Sequence, residues 1–241
     1  MNQFLMELPA ETCDALYIGL GKLRWPAYIG MLIWACVRFP LTVKKKIFLW
    51  VLFAASFLWG TEFCYLLGDL TKGVVPGNLG VAFMLFLMMV AAGSLVLKIP
   101  VRLSMDALIP AYVLGRGLII LGCLFAGCCH GFPASFGVYS RVAETITFPT
   151  VIIDSVVSCG IVIYLLVLAR KKRWCGDGSV AAQGLLLFGA LRILIDILRD
   201  NQKLVFLFTF EGLCGFIYMI VGALILLLNK QTSKEIHSNQ I

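Results

Sequence analysis

The segment LIPAYVLGRGLIILGCLFAGCCHG, Leu108–Gly131, is the strongest indication of the fold class. Up to Cys129 it contains a single charged side chain, Arg116, and it is long enough to cross the hydrocarbon core of a bilayer as a helix. It then ends at His130, one of two histidines in the chain, directly after a pair of cysteines. Ionisable groups inside a bilayer are costly and mark functional sites, so this segment is also the first candidate for the site.

The rest of the chain has the same apolar character. It has 241 residues, of which 61% are hydrophobic and 14% charged, and its mean hydropathy is +0.95. These values exclude a soluble globular protein and predict an all-α integral membrane protein, a single transmembrane domain over residues 1–241. The start lacks the pattern of a removable signal peptide, so we expect the first span to remain as an anchor. About seven spans are predicted, at residues 25–37, 47–67, 79–97, 108–129, 151–168, 181–198 and 204–228.

Basic residues are distributed unevenly over the loops and predict the topology. One set of loops contains Lys44–Lys46, Lys98 with Arg102, and Arg170–Arg173, whereas the alternate loops are only weakly basic. The positive-inside rule puts this set and the C-terminus in the cytoplasm and the N-terminus outside. The net charge of +7 therefore reflects topology and contact with anionic lipids, and we expect no nucleic-acid partner. Residues 231–241 are predicted to form a polar tail.

Charged side chains recur inside the predicted spans. Arg192 and Asp196 are four residues apart on one helix face and Arg199 follows, so two guanidinium groups flank a carboxylate. Under this topology Arg116 and Asp154 come to a similar depth, in the outer half of the bilayer. Two interpretations stay open, a salt bridge that joins helices or an anion site, because arginines outnumber nearby acids and guanidinium groups bind phosphate. Glu62 and Glu211 also lie in predicted spans and are weaker candidates, and Glu62 is interpreted as a solvated carboxylate at the outer interface.

The cysteine-rich end of the fourth span allows three interpretations. Cys123, Cys128 and Cys129 with His130 would bind a metal, but C-x-x-C and His-x-His spacings are lacking, and neighbours on a helix end point about 100° apart. Cys128 and Cys129 would form a thiol–disulfide centre at the outer face, where oxidation is possible. The third interpretation, which we favour, is that cysteines and glycines are small residues that let helices approach and leave room for a substrate. The glycines concerned are Gly115, Gly122, Gly127 and Gly131.

Several segments of the chain resemble the prolipoprotein diacylglyceryl transferase family, in the cysteine-rich form common in Gram-positive bacteria. They are DALIP (Asp106–Pro110), LG (Leu114-Gly115), GCLFAGCCHG (Gly122–Gly131), Pro149-Thr150 followed by Asp154, and GALRILIDILR (Gly189–Arg199), with weaker similarity at Arg24-Trp25 and Gly30-Met31. In the arginine segment, Asp196 stands where the family usually has Glu. The resemblance covers roughly residues 24–228, and about seven spans with the N-terminus outside is also the layout of that family.

The resemblance implies an enzyme that transfers diacylglycerol from phosphatidylglycerol to the thiol of a lipobox cysteine in a secreted preprotein, releasing glycerol phosphate. This is the first step of bacterial lipoprotein maturation, at the outer face of the cytoplasmic membrane. The implied partners are phosphatidylglycerol, a prolipoprotein lipobox peptide and the bilayer; no metal and no cofactor are implied, and we expect a monomer. Carried onto this sequence, the catalytic residues are His130, Arg192 and Asp196, and the substrate-binding residues are Arg116, Arg199, Asp154, Gly122 and Gly127.

The chain departs from the family pattern in two places. Ile120 stands where the family has its most characteristic arginine, and Arg116 lies one helical turn earlier, about 5–6 Å along the axis. Residues 82–87 of the third span lack any polar group where the family usually carries a His- or Tyr-Gly-Gly motif. His130, at a position where the family often has Tyr, is then the candidate general base. Two alternatives remain, a non-catalytic relative that binds phospholipid or lipoprotein precursor, and a membrane thiol–disulfide oxidoreductase that uses the paired cysteines.

Overall fold

The structure is a computed structural model and describes residues 2–39, 41–70, 79–172, 176–199 and 208–238. Helices dominate it, as the hydropathy predicts. In chain order the elements are α1 (Asn2–Glu7), α2 (Ala10–Lys22), α3 (Arg24–Arg38), α4 (Val43–Leu70), α5 (Leu79–Val96), α6 (Val101–Ala126), β1 (Pro133–Ser140), β2 (Thr145–Thr147), α7 (Thr150–Lys171), α8 (Ser179–Leu198) and α9 (Phe210–Ser238).

Each predicted span overlaps one of these helices, and the chain is a helical membrane protein. In the described part, four helices are long and apolar enough to cross a membrane, namely Val101–Ala126, Thr150–Lys171, Ser179–Leu198 and Phe210–Asn229, and Gly80–Val96 is a shorter apolar helix. The full number of about seven spans and the orientation of the termini stay predictions. Residues 204–207 of the last predicted span lie outside the described residues, and α9 continues to Ser238, through most of the predicted polar tail.

The segment between α6 and α7 contains a β-hairpin, so the prediction of an all-α fold is wrong at this point. The strands β1 and β2 pair antiparallel, with Tyr139 opposite Ile146, and the turn takes Glu144 through a positive φ of 52°. Aromatic and β-branched residues are frequent in both strands and favour extended backbone. Asn2 fastens α1 to this hairpin, because its Nδ2 donates to the carbonyl of Gly137 at 3.1 Å and its Oδ1 accepts from the N–H of Tyr139 at 3.1 Å.

The end of α6 also differs from the prediction of a span to residue 129. The helix ends at Ala126, because Gly127 adopts the left-handed conformation with φ of 72° and its N–H donates to the carbonyl of Cys123 at 2.8 Å. Glycine in this conformation commonly terminates helices. Cys128 and Cys129 therefore follow the helix and do not lie on its surface, and the 100° separation expected of helical neighbours does not apply to them.

The central helix is α6, which contacts α2, α3, α5, α7 and α8. Most of its middle turns are buried, so a charged residue in these turns, such as Arg116, faces protein. Close approach depends on glycines. A Cβ on Gly115 would come within 1.9 Å of the Tyr28 ring on α3, and a Cβ on Gly189 of α8 would come within 2.5 Å of the Gly215 carbonyl on α9. Small residues at these crossings let the helices approach to backbone contact.

The two ends of the helical bundle have different chemistry. At the end with the basic turns, Asp106 of α6 accepts hydrogen bonds from the backbone N–H groups of Gly178 at 2.9 Å and Ala181 at 2.7 Å. This carboxylate caps the start of α8, where N–H groups are otherwise unsatisfied. At the opposite end lie the cysteines, the hairpin and Arg199, whose backbone forms an antiparallel bridge with that of Gly131. The bridge joins the end of α6 to the end of α8.

Candidate functional site

Three arginines, from α6, from α8 and from the residue after α8, meet in the interior of the protein. Arg116 lies in the middle of α6, Arg192 lies in the second half of α8, and Arg199 directly follows α8. Their exposed fractions are 4%, 1% and 5%. Guanidinium groups buried to this degree need ionic partners, because an unpaired buried charge is very costly.

Glu211, in the first turn of α9, is the centre of these contacts. Its Oε1 accepts hydrogen bonds from Arg116 Nη2 at 3.1 Å and Arg192 Nη1 at 3.2 Å. Its Oε2 accepts from Arg199 Nη1 at 2.9 Å. One carboxylate thus contacts all three guanidinium groups. Sequence analysis treated Glu211 only as a weaker candidate. The signal that could have identified it is an acid at the start of α9, the helix that follows α8.

Asp154 is the second carboxylate in contact with these arginines, and it is fully buried near the start of α7. We call the group of Arg116, Arg192, Arg199, Glu211 and Asp154 the arginine network. It forms ion pairs with Arg192 Nη2 and, at 3.5 Å, with Arg199 Nη2. The hydroxyl of Ser158, one turn later, donates to its Oδ1 at 3.4 Å. Helix α7 therefore contributes the acid that the arginines of α8 require.

The arginine network contains more positive than negative charge. Its three guanidinium groups meet two carboxylates, so one positive charge is left uncompensated within these ion pairs. Two buried nitrogens, Arg116 Nη1 and Arg192 Nε, have no hydrogen-bond partner among the residues that the structure describes. Buried polar groups are normally paired. Surplus positive charge together with unused donors suits the binding of an anion.

Asp196 makes its hydrogen bonds at the start of α9. Its Oδ2 accepts from the N–H of Thr209 at 2.7 Å and its Oδ1 from the Thr209 hydroxyl at 2.6 Å. Thr209 Oγ1 in turn accepts from the N–H of Glu211 at 3.1 Å. The spacing in the sequence suggested a pair with Arg192 on the same helix. These hydrogen bonds give Asp196 a further position in the site, as the residue that fixes the turn from which Glu211 projects.

The two glycines predicted to bind substrate, Gly122 and Gly127, are in close contact with protein. A Cβ on Gly122 would come within 3.0 Å of the ring and carbonyl of Tyr17 on α2. A Cβ on Gly127 would come within 2.9 Å of the backbone nitrogen of Arg141, and the Gly127 carbonyl accepts from Ser140 Oγ at 2.9 Å. In this structure both glycines allow α6 to pack against α2 and the hairpin.

His130 lies at the cysteine end of the protein, after α6. Its Nδ1 is 3.1 Å from the carbonyl oxygen of Gly131. Since a carbonyl only accepts, this hydrogen bond requires a proton on Nδ1 and leaves the lone pair of Nε2 available in the neutral ring. His130 lines a small open pocket of ≈ 20 Å³ together with Cys123, Tyr139 and Thr150. The structure therefore brings His130 to the pocket and hydrogen-bonds it to the main chain.

The three thiols at the end of α6 form a compact cluster. The Sγ atoms of Cys123, Cys128 and Cys129 lie within 4.8 Å of one another, and those of Cys128 and Cys129 are 4.0 Å apart. Hydrogen bonds from Cys123 and Cys128, together with the positive charges of Arg199 and Arg116, lower the pKa of the Cys129 thiol. The thiol cluster is thus an electrostatic neighbour of the arginine network.

The two departures from the family pattern correspond to apolar core in this structure. Ile120, one turn beyond Arg116, is buried. On α5, Phe83 and Phe86 are both buried, and Phe83 stacks on Tyr112 of α6 with ring centroids 4.1 Å apart. Aromatic packing therefore occupies the region of α5 where a polar motif was sought.

Comparison with known proteins agrees with the resemblance found in the sequence. A family model described as prolipoprotein diacylglyceryl transferase matches residues 76–228, more than half of the chain, and the match includes all three arginines of the network. A protein of Clostridium tetani (strain Massachusetts / E88) named phosphatidylglycerol–prolipoprotein diacylglyceryl transferase is 24% identical over 106 residues. That similarity covers 41% of this chain and 42% of the relative, so the chain matches less than half of the relative's length.

Proposed function

Because the chain belongs to the prolipoprotein diacylglyceryl transferase family, we propose that it transfers the diacylglyceryl group of phosphatidylglycerol to the thiol of a lipobox cysteine. Glycerol phosphate is the second product. The proposed acceptor is a secreted bacterial preprotein, and the proposed location is the cytoplasmic membrane. With the N-terminus outside, the arginine network lies in the outer half of the bilayer, where such an acceptor emerges.

The observation that carries this proposal is the buried arginine network with its surplus charge. The phosphodiester of phosphatidylglycerol bears one negative charge, which equals the positive charge that Asp154 and Glu211 leave uncompensated. Guanidinium groups bind phosphate oxygens through paired N–H donors. Arg116 Nη1 and Arg192 Nε are buried donors that the described residues do not use. A phospholipid supplies the matching anion within the membrane.

The reaction is a displacement at the glyceryl carbon that carries the phosphate. The thiol sulfur forms a new S–C bond, the C–O bond to the phosphate breaks, and both electrons of that bond leave with glycerol phosphate. The phosphate gains one negative charge in this step, so the arginines stabilise the departing group more strongly than the bound lipid. The thiol proton passes to a general base, for which we propose His130 through Nε2.

The carboxylates have a positioning role in this mechanism. Glu211 contacts all three arginines and Asp154 contacts two, so the guanidinium groups are held at fixed spacing before the lipid binds. Asp196 acts indirectly: it accepts hydrogen bonds from Thr209, and these bonds fix the turn that carries Glu211. Donors held in place in advance need no reorganisation as charge develops on the phosphate.

A transfer assay in liposomes tests the proposal. Purified protein receives labelled phosphatidylglycerol and a lipobox peptide, and Arg116→Gln and Arg192→Gln are compared with Arg170→Gln, an exposed arginine at the basic end of α7. We expect lipidated peptide from the parent and from Arg170→Gln. In the two network variants the rate should fall by about 100- to 1,000-fold, the usual cost of removing one transition-state donor. No product from the parent, where an established family member is active, would contradict the proposal.

A second candidate is a relative that binds the lipid without transferring it. The apolar side chains of Ile120, Phe83 and Phe86, in regions where the family carries polar groups, favour this candidate. Retention of labelled phosphatidylglycerol by the parent, its loss in Arg116→Gln, and absence of lipidated peptide would together support binding over transfer.

A further inference from the structure

Three cysteines converge at the turn after α6, and the proposed transfer uses none of them. Cys123 lies in the last turn of the helix, and the left-handed conformation of Gly127 directs the chain so that Cys128 and Cys129 come close to it. The hydroxyl of Thr150 donates to the carbonyl of Cys129 at 2.9 Å and ties this turn to the start of α7. The backbone therefore determines where the three sulfur atoms lie.

The spacing of the sulfur atoms fits a single metal ion. All three lie within 4.8 Å of one another, and those of Cys128 and Cys129 are 4.0 Å apart. Around a tetrahedral zinc ion, with Zn–S distances of about 2.3 Å, neighbouring sulfurs lie about 3.8 Å apart. To bind one ion, the sulfur–sulfur distances need to shorten by at most about 1 Å. A disulfide would join two of the sulfurs and leave the third unbonded. We propose that Cys123, Cys128 and Cys129 bind one thiophilic metal ion of the Zn²⁺ type.

The thiol cluster lies beside two positively charged side chains of the arginine network. The positive charges of Arg116 and Arg199 act on Cys129, and that of Arg116 also acts on Cys123. Thiolate ligands select Zn²⁺ or Cu⁺ over Mg²⁺ and Ca²⁺.

The thiol cluster is reachable from the protein surface through Cys128. Cys128 is exposed, and Cys123 and Cys129 are partly exposed. The open pocket lined by Cys123 and His130 adjoins the cluster. A tetrahedral ion bound by three cysteines keeps a fourth position, which we expect water to occupy. Three protein ligands and one open position is the arrangement of zinc sites that interact with a further molecule. Metal binding by this cluster does not depend on the transfer activity.

The test uses the full chain, purified in detergent and reduced, and titrated with Co²⁺, whose thiolate complexes absorb by charge transfer in the near-ultraviolet. We expect one Co²⁺ per chain and its displacement by Zn²⁺. Cys123→Ser, Cys128→Ser and Cys129→Ser should each weaken binding by more than about 100-fold, since losing only an outer-shell partner costs about 10- to 100-fold. Cys159→Ser, a cysteine in the middle of α7, is the matched control and should bind as the parent does.

Two results would overturn the proposal. One is the absence of thiolate charge-transfer absorption in the parent, and the other is equal absorption in the parent and in the variant with all three serines. Protection from alkylation provides a measurement that needs no variant. With Zn²⁺ present, three fewer cysteines of the parent should react with an alkylating agent, counted by intact mass. Equal alkylation with and without Zn²⁺ would exclude the site even if the variants fail to fold.

Discussion

Replacing Glu211 with glutamine removes the carboxylate that contacts all three buried arginines while preserving the size of the side chain. Ion pairs with Arg116 at 3.1 Å, Arg192 at 3.2 Å and Arg199 at 2.9 Å lose their negative partner. Asp154, which pairs with Arg192 and Arg199, is then the one remaining carboxylate of these ion pairs. The uncompensated positive charge of the arginine network rises from one to two.

The expected loss of stability follows from these distances. With charge centres about 4 Å apart and an effective dielectric constant of about 20, each ion pair contributes about 4 kcal/mol of attraction. Most of the combined attraction offsets the desolvation of the charges, and breaking a buried ion pair costs about 3–5 kcal/mol net. Since 1 kcal/mol shifts the Tm of a chain of this size by about 2–4 °C, we expect Glu211→Gln to melt about 6–20 °C lower than the parent.

The assay is thermal unfolding of the purified protein in detergent, followed by circular dichroism. Glu11→Gln, which changes an exposed acid in the first turn of α2, is the matched control and should alter stability by less than about 1 kcal/mol. Added phosphate should raise the Tm of Glu211→Gln more than that of the parent, because the anion binds the uncompensated guanidinium groups. Equal melting temperatures for Glu211→Gln and Glu11→Gln, with no phosphate effect, would refute the argument that Glu211 holds the network together.

Gly115→Ala should lower stability by about 1–3 kcal/mol, because its Cβ would overlap the Tyr28 ring, whereas Gly160→Ala, with open space around it, should not; equal melting temperatures would contradict this packing. Asp106→Asn should lower the free energy of unfolding by about 1–2 kcal/mol, because a charge and one acceptor leave the capping site. It should also speed amide exchange in the first turn of α8, and unchanged exchange would exclude the cap. Gly127→Ala should lower the free energy of unfolding by about 1–2 kcal/mol, since it strains a left-handed backbone position. It should also weaken Co²⁺ binding, and an unaltered Co²⁺ affinity would show that this turn does not determine the positions of the sulfur atoms.

Hydropathy predicted the helices that cross the centre of the protein. The apolar runs at 108–129, 151–168 and 181–198 correspond to α6, α7 and α8, because within hydrocarbon a helix satisfies every backbone polar group locally. Outside that environment the constraint disappears. The hairpin of β1 and β2 and the turn at Gly127 were missed, because both depend on hydrogen bonds with residues beyond the helix, such as that from Ser140 to the Gly127 carbonyl.

The cost of burying charge made Arg116, Arg192 and Arg199 recognisable as site residues from their positions in apolar runs. Their partners were not recognisable in the same way. Spacing along one helix favoured Asp196, whereas the packing of α9 against α8 brings Glu211 to Arg116, 95 residues away along the chain. Coulomb attraction depends on distance in space, so the number and type of costly charges can be read from the sequence, while their pairing, the surplus charge and the convergence of the thiols are products of helix packing.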